Sequence, residues 1–235
     1  MFKTLSIIIP TLNEEKNILN ILDDLKQQSL QPDEIIVVDG GSQDLTAKLL
    51  KKQKHVTFFQ TKSGTGHQRN FGGEQASGTY FLYLDADTRI THHQFLEKLL
   101  SWAQAHQVET VCPYYVPYRS TVIIAAIYLV FDALFFLFQK ISPSGAGSCI
   151  LTTKKIFGKS GGFDQNLVFD DIAYIRAAAK HGSFGMAPFS IFVSDRRFKK
   201  YGSLRMLAVY MVLSIFFLFG LFQAAERVKY SFGEY

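Results

Sequence analysis

Four apolar runs, each followed by a stretch with helical periodicity, constrain this chain more than any other feature. Residues 5–9 (LSIII), 34–38 (EIIVV), 56–60 (VTFFQ) and 79–84 (TYFLYL) read as strands. None shows the in-and-out alternation of a sheet with one wet face, so both faces must be covered. Between them, Ile18, Ile21, Leu22 and Leu25 fall on one helix face. Thr11 with Glu14 fits a capping box for that helix, and Asn13 is an alternative cap. Ser42 is placed to cap the helix carrying Leu45, Leu49 and Leu50. KSGTGHQRNFGGEQASG reads as a loop leading into a helix interrupted by glycine. Thr91 and Gln94 frame a further capped helix, HHQFLEKLLSWAQAHQ, and TVCPYYV (110–116) suggests a fifth strand. This alternation predicts an α/β, Rossmann-like fold with a mainly parallel central sheet and helices on both faces. In such sheets ligands sit at the carboxyl ends of the strands.

The acids gather at those ends. Asp39 closes the second run; Asp85 and Asp87 close the fourth, in LYLDADTRI. Side chains two residues apart in extended chain point the same way. Two adjacent carboxylates repel and gain nothing from burial. The pair makes sense when a positive group, most simply a divalent metal, sits between it and a substrate.

A strand followed by an Asp-x-Asp pair also opens the haloacid-dehalogenase-type phosphatases, where the first Asp is a nucleophile and the second a general acid. Lys154 and the Asp170–Asp171 pair could complete that arrangement. It leaves the polar endings of the first three strands unused. A second pattern uses them all. IIIPTLNEEKNI (7–18), DEIIVVDGGSQDLT (33–46), GHQRNFGGEQASGTYFLYLDADT (66–88) and GGFDQNLVFDDIAYIRAAAKHG (161–182) follow in order at plausible spacing. Together they resemble the family-2 inverting glycosyltransferases of the GT-A fold, over nearly the whole chain up to about residue 200.

That resemblance implies a nucleotide-diphosphate sugar as donor, with a uridine or guanosine base, and Mg²⁺ or Mn²⁺ as cofactor. It implies that Asp39 contacts the base, and that Thr11, Asn13, Glu14 and Gly41 belong to the same pocket. Asp85 would touch the ribose and, with Asp87, the metal. Arg69 and Asn70 would help to position the diphosphate or ribose. An inverting transferase needs a base for the acceptor hydroxyl. The matching acids are Asp171, as the base, and Asp170, which replaces the family's usual Glu with a shorter arm. Another acid often follows two residues on; this chain has Ala173. SDRRFKKYG (194–202) is similar to a basic motif of some members. It implies that Arg196 and Arg197 close over the diphosphate, while a basic cluster beside a membrane would look the same. His92 and His93 read as surface residues in the first turn of a helix, and His67 has no assigned role.

The chain is 48% hydrophobic, with 22 Phe in 235 residues, so the apolar excess needs a home. It lies in VIIAAIYLVFDALFFLF (122–138), interrupted by Asp132, and MLAVYMVLSIFFLFGLF (206–222). Basic residues flank both: Arg119 and Lys140, then Lys199, Lys200, Arg205, Arg227 and Lys229. A single crossing by 122–138 would put Asp171 on the other side from Asp87, which one active site forbids. That segment is therefore expected to lie in the membrane interface; 206–222 either spans as a tail anchor or, as the basic residues after it favour, lies half-buried and packed on the first. The net charge of +5 suits an anionic surface or a nucleotide. The expected partners are the donor sugar, a lipid-linked or polyprenyl-phosphate acceptor and the membrane surface, with no nucleic acid. Two cysteines, Cys112 and Cys149, form no redox or zinc motif and suit a reducing setting, at the cytoplasmic face of the membrane. Three parts follow: a donor half (1–116), an acceptor half with the interfacial helix (117–203), and a hydrophobic C-terminal helix and tail (204–235). A catalytically silent membrane-binding module is the remaining alternative.

Overall fold

The computed structural model describes residues 4–221 and residue 225. Arg227, Lys229 and the rest of the tail lie outside the described residues. Strands β1 (Leu5–Thr11), β2 (Glu34–Asp39), β3 (Thr57–Gln60), β4 (Tyr80–Leu84) and β5 (Thr110–Pro117) follow the five runs expected. Two further strands, β6 (Cys149–Thr153) and β7 (Phe184–Val193), complete a seven-stranded sheet in the order β3-β2-β1-β4-β6-β5-β7. Pairing is parallel except around β6, which runs antiparallel to both β4 and β5. Strands from before and after residue 117 thus share one sheet.

Helices α1 (Ile18–Lys26), α2 (Thr46–Leu50), α3 (Thr65–Gln75) and α4 (Phe95–Ala105) are the crossovers of the first half. In α1 the expected stripe of Ile18, Ile21, Leu22 and Leu25 is buried. Helix α3 is continuous through its glycines. They permit contact rather than interrupt: a Cβ on Gly73 would stand 2.5 Å from the Tyr83 hydroxyl and 2.7 Å from the Phe157 ring. The chain order reverses beside β1, which lies between β2 and β4, and this opens a crevice at the carboxyl ends of β1 and β4.

The expected caps differ. Thr11 completes β1, and α1 starts only at Ile18. Glu14 instead accepts from the Asn17 side chain at 2.7 Å, and its amide donates to the Thr46 hydroxyl at 2.8 Å. Ser42 turns back to Asp39 and accepts from the Asn13 amide, while α2 starts at Thr46. Gln94 stands before α4 without a side-chain cap, and His92 and His93 precede that helix as an exposed stacked pair. For Ser42 a long-range partner, the Asn13 amide, competes for the side chain that local pattern assigns to a helix end.

After β5 come α5 (Val122–Phe138), α6 (Lys154–Ser160), α7 (Asp170–Ala179), α8 (Arg196–Tyr201) and α9 (Ser203–Leu218). Thr121 caps α5 and Thr153 caps α6. The two hydrophobic helices pack on each other, with Phe131 of α5 edge-on to Tyr210 of α9 at 5.7 Å. Each leaves a large apolar surface exposed, including Val122, Leu129 and Leu137 on α5 and Leu204 and Ile215 on α9. Among the described residues no helix is long and apolar enough to cross a membrane.

Candidate functional site

A cavity of about 510 Å³ opens at the carboxyl ends of β1 and β4. Asp85, Asp87, Asp170 and Asp171 all line it. Strand β4 is fully buried up to Leu84, and the chain then turns, so Asp85 and Asp87 emerge at the sheet edge. The turn is closed by the Thr88 amide and hydroxyl, which donate to the Asp85 carbonyl at 3.2 and 2.8 Å. Asp170 and Asp171 form the first turn of α7, where negative charge is favoured by the helix dipole.

Arg69 ties these groups together. It is buried on α3, and one guanidinium nitrogen donates to both oxygens of Asp170 at 3.1 and 3.0 Å. The other donates to Asp85 at 3.0 Å and to the Gly147 carbonyl at 3.2 Å. Burial would lower its pKa, but the Asp170 and Asp85 charges outweigh burial and raise it. Asp85 also accepts from the Ser148 hydroxyl at 3.1 Å, so both its oxygens are engaged. Among the described residues Asp171 makes no ion pair; it accepts from the Gly147 amide at 2.7 Å and from the Ile172 amide at 2.8 Å. Burial pushes its pKa up, against the pull of Arg69 and those amides. Burial likewise takes Asp170 up to about 6, opposed by Arg69.

Arg196, on α8, spans 182 residues to reach Glu14 at 2.7 Å, and it touches Asp87 at 3.2 Å. Arg197 lines the same cavity. Asp87 is pushed up to about 6 by burial; Arg196 opposes this, while Asp85 and Glu14 add to it. Glu14 and Asp87 thus share one guanidinium, with the Asp85 charge beside them. That surplus negative charge fits a divalent cation. Among the described residues no cluster of three or more His, Cys, Asp or Glu is arranged to hold a metal unaided. Further oxygens would have to come from a diphosphate and water, the usual arrangement for Mg²⁺.

The other expected residues divide. Thr11 and Glu14 line the cavity, and the buried Thr11 hydroxyl has no protein partner among the described residues. Asp39 lies beside Thr11 in the β1–β2 register, buried, and accepts from the Ser42 amide and hydroxyl and from Gln60. Asn13 binds the Gln43 amide at 2.9 Å, and Gly41 turns the chain after β2 with φ +88°. Asn70 points elsewhere. Both ends of its carboxamide are taken by the Phe163 backbone, at 2.8 and 2.7 Å, so it staples α3 to the loop before α7. His67 faces Gln165 at 3.3 Å.

Sequence reasoning missed Gly147 and Ser148. They hold Asp171, Asp85 and Arg69 in place from the segment entering β6. A Cβ on Gly147 would meet the Arg69 guanidinium carbon at 2.9 Å, so the only signal was a glycine pair in GAGSC. Asp132 was visible only as an interruption of an apolar run. It is buried, accepts from the Tyr115 amide at 2.8 Å, and is pushed up to about 7 by burial. A carboxyl raised on folding binds its proton more tightly in the folded state. Stability is therefore fully present below its ordinary range near 4 and falls as pH rises toward 7. Asp132→Asn keeps an acceptor for Tyr115 and removes the charge. Its melting temperature relative to the parent should rise between pH 5 and pH 8; a constant difference across that range would show that Asp132 stays ionised.

Sheet order, acid placement and cavity define a GT-A-type scaffold. A mannosyltransferase from Pyrobaculum calidifontis, solved with GDP-Man and Mn²⁺, superposes with a TM-score of 0.71 at 19% identity, covering 90% of this chain and 62% of that one. TarS of S. aureus, solved with UDP-GlcNAc, gives 0.65 at 20% identity over 82% of this chain and 58% of that one. At such identities the likeness is one of fold. The chain belongs to glycosyl transferase family 2, whose profile matches residues 6–159. Among relatives, a 4,4'-diaponeurosporenoate glycosyltransferase of Staphylococcus haemolyticus is 29% identical over 74% of this chain and 46% of its own length. An O-antigen chain rhamnosyltransferase of Salmonella typhimurium is 28% identical over 49% of this chain and 38% of its own. The chain spans less than half the length of either relative.

Proposed function

We propose that this chain transfers a sugar, with inversion, from a nucleotide-diphosphate sugar to a lipid-linked acceptor at the cytoplasmic face of a membrane. The observation that carries the transferase reading is the single cavity onto which Asp85, Asp87 and Asp171 all open, with Arg69 linking the two ends. Thr11, Glu14 and Asp39 would form the nucleoside end, and Asp87 with Asp85 would hold Mg²⁺ or Mn²⁺. The metal supplies neutralisation of the charge that develops on the departing diphosphate. Arg196 and Arg197 lie where they can add to that neutralisation from α8. Solved neighbours hold GDP-Man with Mn²⁺ or UDP-GlcNAc, which supports the donor class without choosing the base.

Asp171 takes the acceptor proton. The acceptor oxygen then attacks the anomeric carbon from the face opposite the diphosphate, and the bonding pair leaves with the nucleoside diphosphate. Asp170 is tied to Arg69 at both oxygens and positions the turn. The phosphatase alternative requires Asp85 as nucleophile and leaves Thr11, Glu14 and Asp39, at the ends of the earlier strands, without a role. The exposed apolar faces of α5 and α9, with Arg119, Lys140, Lys199, Lys200 and Arg205 around them, support placement in an anionic interface. Residues 1–116 then serve the donor, 117–203 the acceptor and 204–235 the membrane.

The test is a titration of the purified chain with UDP, GDP and their sugars, with and without Mn²⁺. Binding is expected to depend on metal and to be lost in Asp87→Ala. Phosphate release from small phosphoesters without nucleotide binding would move the motif to the phosphatase chemistry. Binding without transfer to any lipid-extract acceptor would leave the silent module.

A further inference from the structure

The catalytic cavity does not end at Asp171. It continues past Tyr128, Phe131 and Asp132 to the space between α5 and α9. There it meets a second cavity of about 330 Å³. Phe131, Phe135, Ser214 and Phe217 line both, so the two are contiguous. The second is walled by Phe, Leu, Ile and Met side chains and three serines, with no Lys, Arg or His. Its outer wall includes Leu134, Met211 and Ile215, all exposed on the same apolar helix faces. A polar ligand would lose its hydration here and recover few hydrogen bonds. A hydrocarbon chain loses nothing, and can run from the base out to the helix surface.

The charge around the inner end limits what that chain can carry. Asp85, Asp87, Asp132, Asp170 and Asp171 line the first cavity. On the cleft side of that cavity Arg69 is held by Asp85 and Asp170, whereas Arg196, against Glu14 and Asp87, lies at the donor end. An anionic head group arriving from the cleft would pass Asp132 and add charge to an acid-rich wall. A hydroxyl adds none, and a hydroxyl is the group that requires a base.

We propose that the cleft between α5 and α9 seats the hydrocarbon chain of the acceptor, and that this acceptor presents a neutral hydroxyl, not a phosphate, to Asp171. The proposal rests on the transferase reading and narrows its acceptor to a lipid alcohol or a lipid glycoside.

The test uses the full chain bound to phosphatidylcholine–phosphatidylglycerol vesicles. Diazirine-bearing geranylgeraniol and the matching geranylgeranyl phosphate are photolysed with it, and labelled residues are mapped by mass spectrometry. The alcohol is expected to label Phe131, Phe135 and Phe217, and unlabelled alcohol is expected to abolish that labelling. Ser214→Trp, which fills the cleft, should also lose it. Cleft labelling by the phosphate but not the alcohol overturns the head group. Labelling confined to Leu129, Leu137 and Leu204 overturns the cleft itself, since those residues need only touch the bilayer. Metal-dependent nucleotide binding is measured on the same preparation. If it persists while the cleft stays unlabelled, this inference fails alone; if it is absent, the transferase reading fails and takes the inference with it.

Discussion

Arg69→Met is expected to destabilise the fold by about 3–5 kcal/mol, the usual cost of removing one partner from a buried ion pair. Arg69 and Asp170 are both almost fully buried, and the guanidinium satisfies both Asp170 oxygens. Without it Asp170 must either stay charged with no partner or take up a proton. Asp85 is partly exposed and recovers water, so most of the loss falls on Asp170. Urea unfolding at pH 7 reads the effect as a lowered midpoint. The double variant Arg69→Met with Asp170→Asn should recover much of the loss, because no buried charge is left uncompensated. A single-variant loss below about 1 kcal/mol, the range of exposed pairs, would mean that the pair is solvated and does not organise the site.

Asp171→Asn is expected to lower sugar transfer by about 10²–10⁴-fold, the range a positioned general base supplies. Nucleotide binding should survive, because Asp171 is held by the Gly147 and Ile172 amides and among the described residues has no hydrogen bond to Asp85 or Asp87. An asparagine oxygen can still accept from the Gly147 amide, so the loop should hold its place. The parent enzyme should lose transfer as pH falls, with the acid limb displaced upward from the ordinary carboxylate range, because burial raises the Asp171 pKa. Full transfer by Asp171→Asn would remove the base assignment. Loss of nucleotide binding together with transfer would instead make Asp171 part of the donor site.

The features legible in the sequence were those with a local pattern. Buried strands and the α1 stripe carry their periodicity within a few residues. Asp85, Asp87 and Asp39 could be placed at the carboxyl edge of the sheet because a strand's end is visible as the point where an apolar run stops. Asp170 and Asp171 drew notice because four sequence blocks fall in order, and the fold brings both to the same cavity as Asp85 and Asp87. The helix caps were misplaced because Thr11 is still part of β1, and Glu14 and Ser42 have partners some thirty residues away or at the next turn of the chain. Strand β6 went unread because CILTT is short and joins the sheet antiparallel, between β4 and β5, by a connection that no local signal encodes.

The amino-acid order by itself determined an α/β sheet with acids at its carboxyl edge, two apolar stretches expected at a membrane, and a family likeness across four blocks. Only the tertiary structure decided what the charges do. Arg69, expected to face a diphosphate, is enclosed by Asp170 and Asp85; Asn70, expected beside it, binds backbone; Arg196 reaches Glu14 from 182 residues away. The physical reason is that burial of apolar side chains follows from their own spacing, whereas an ion pair is set by which opposite charge the finished fold brings within about 3 Å.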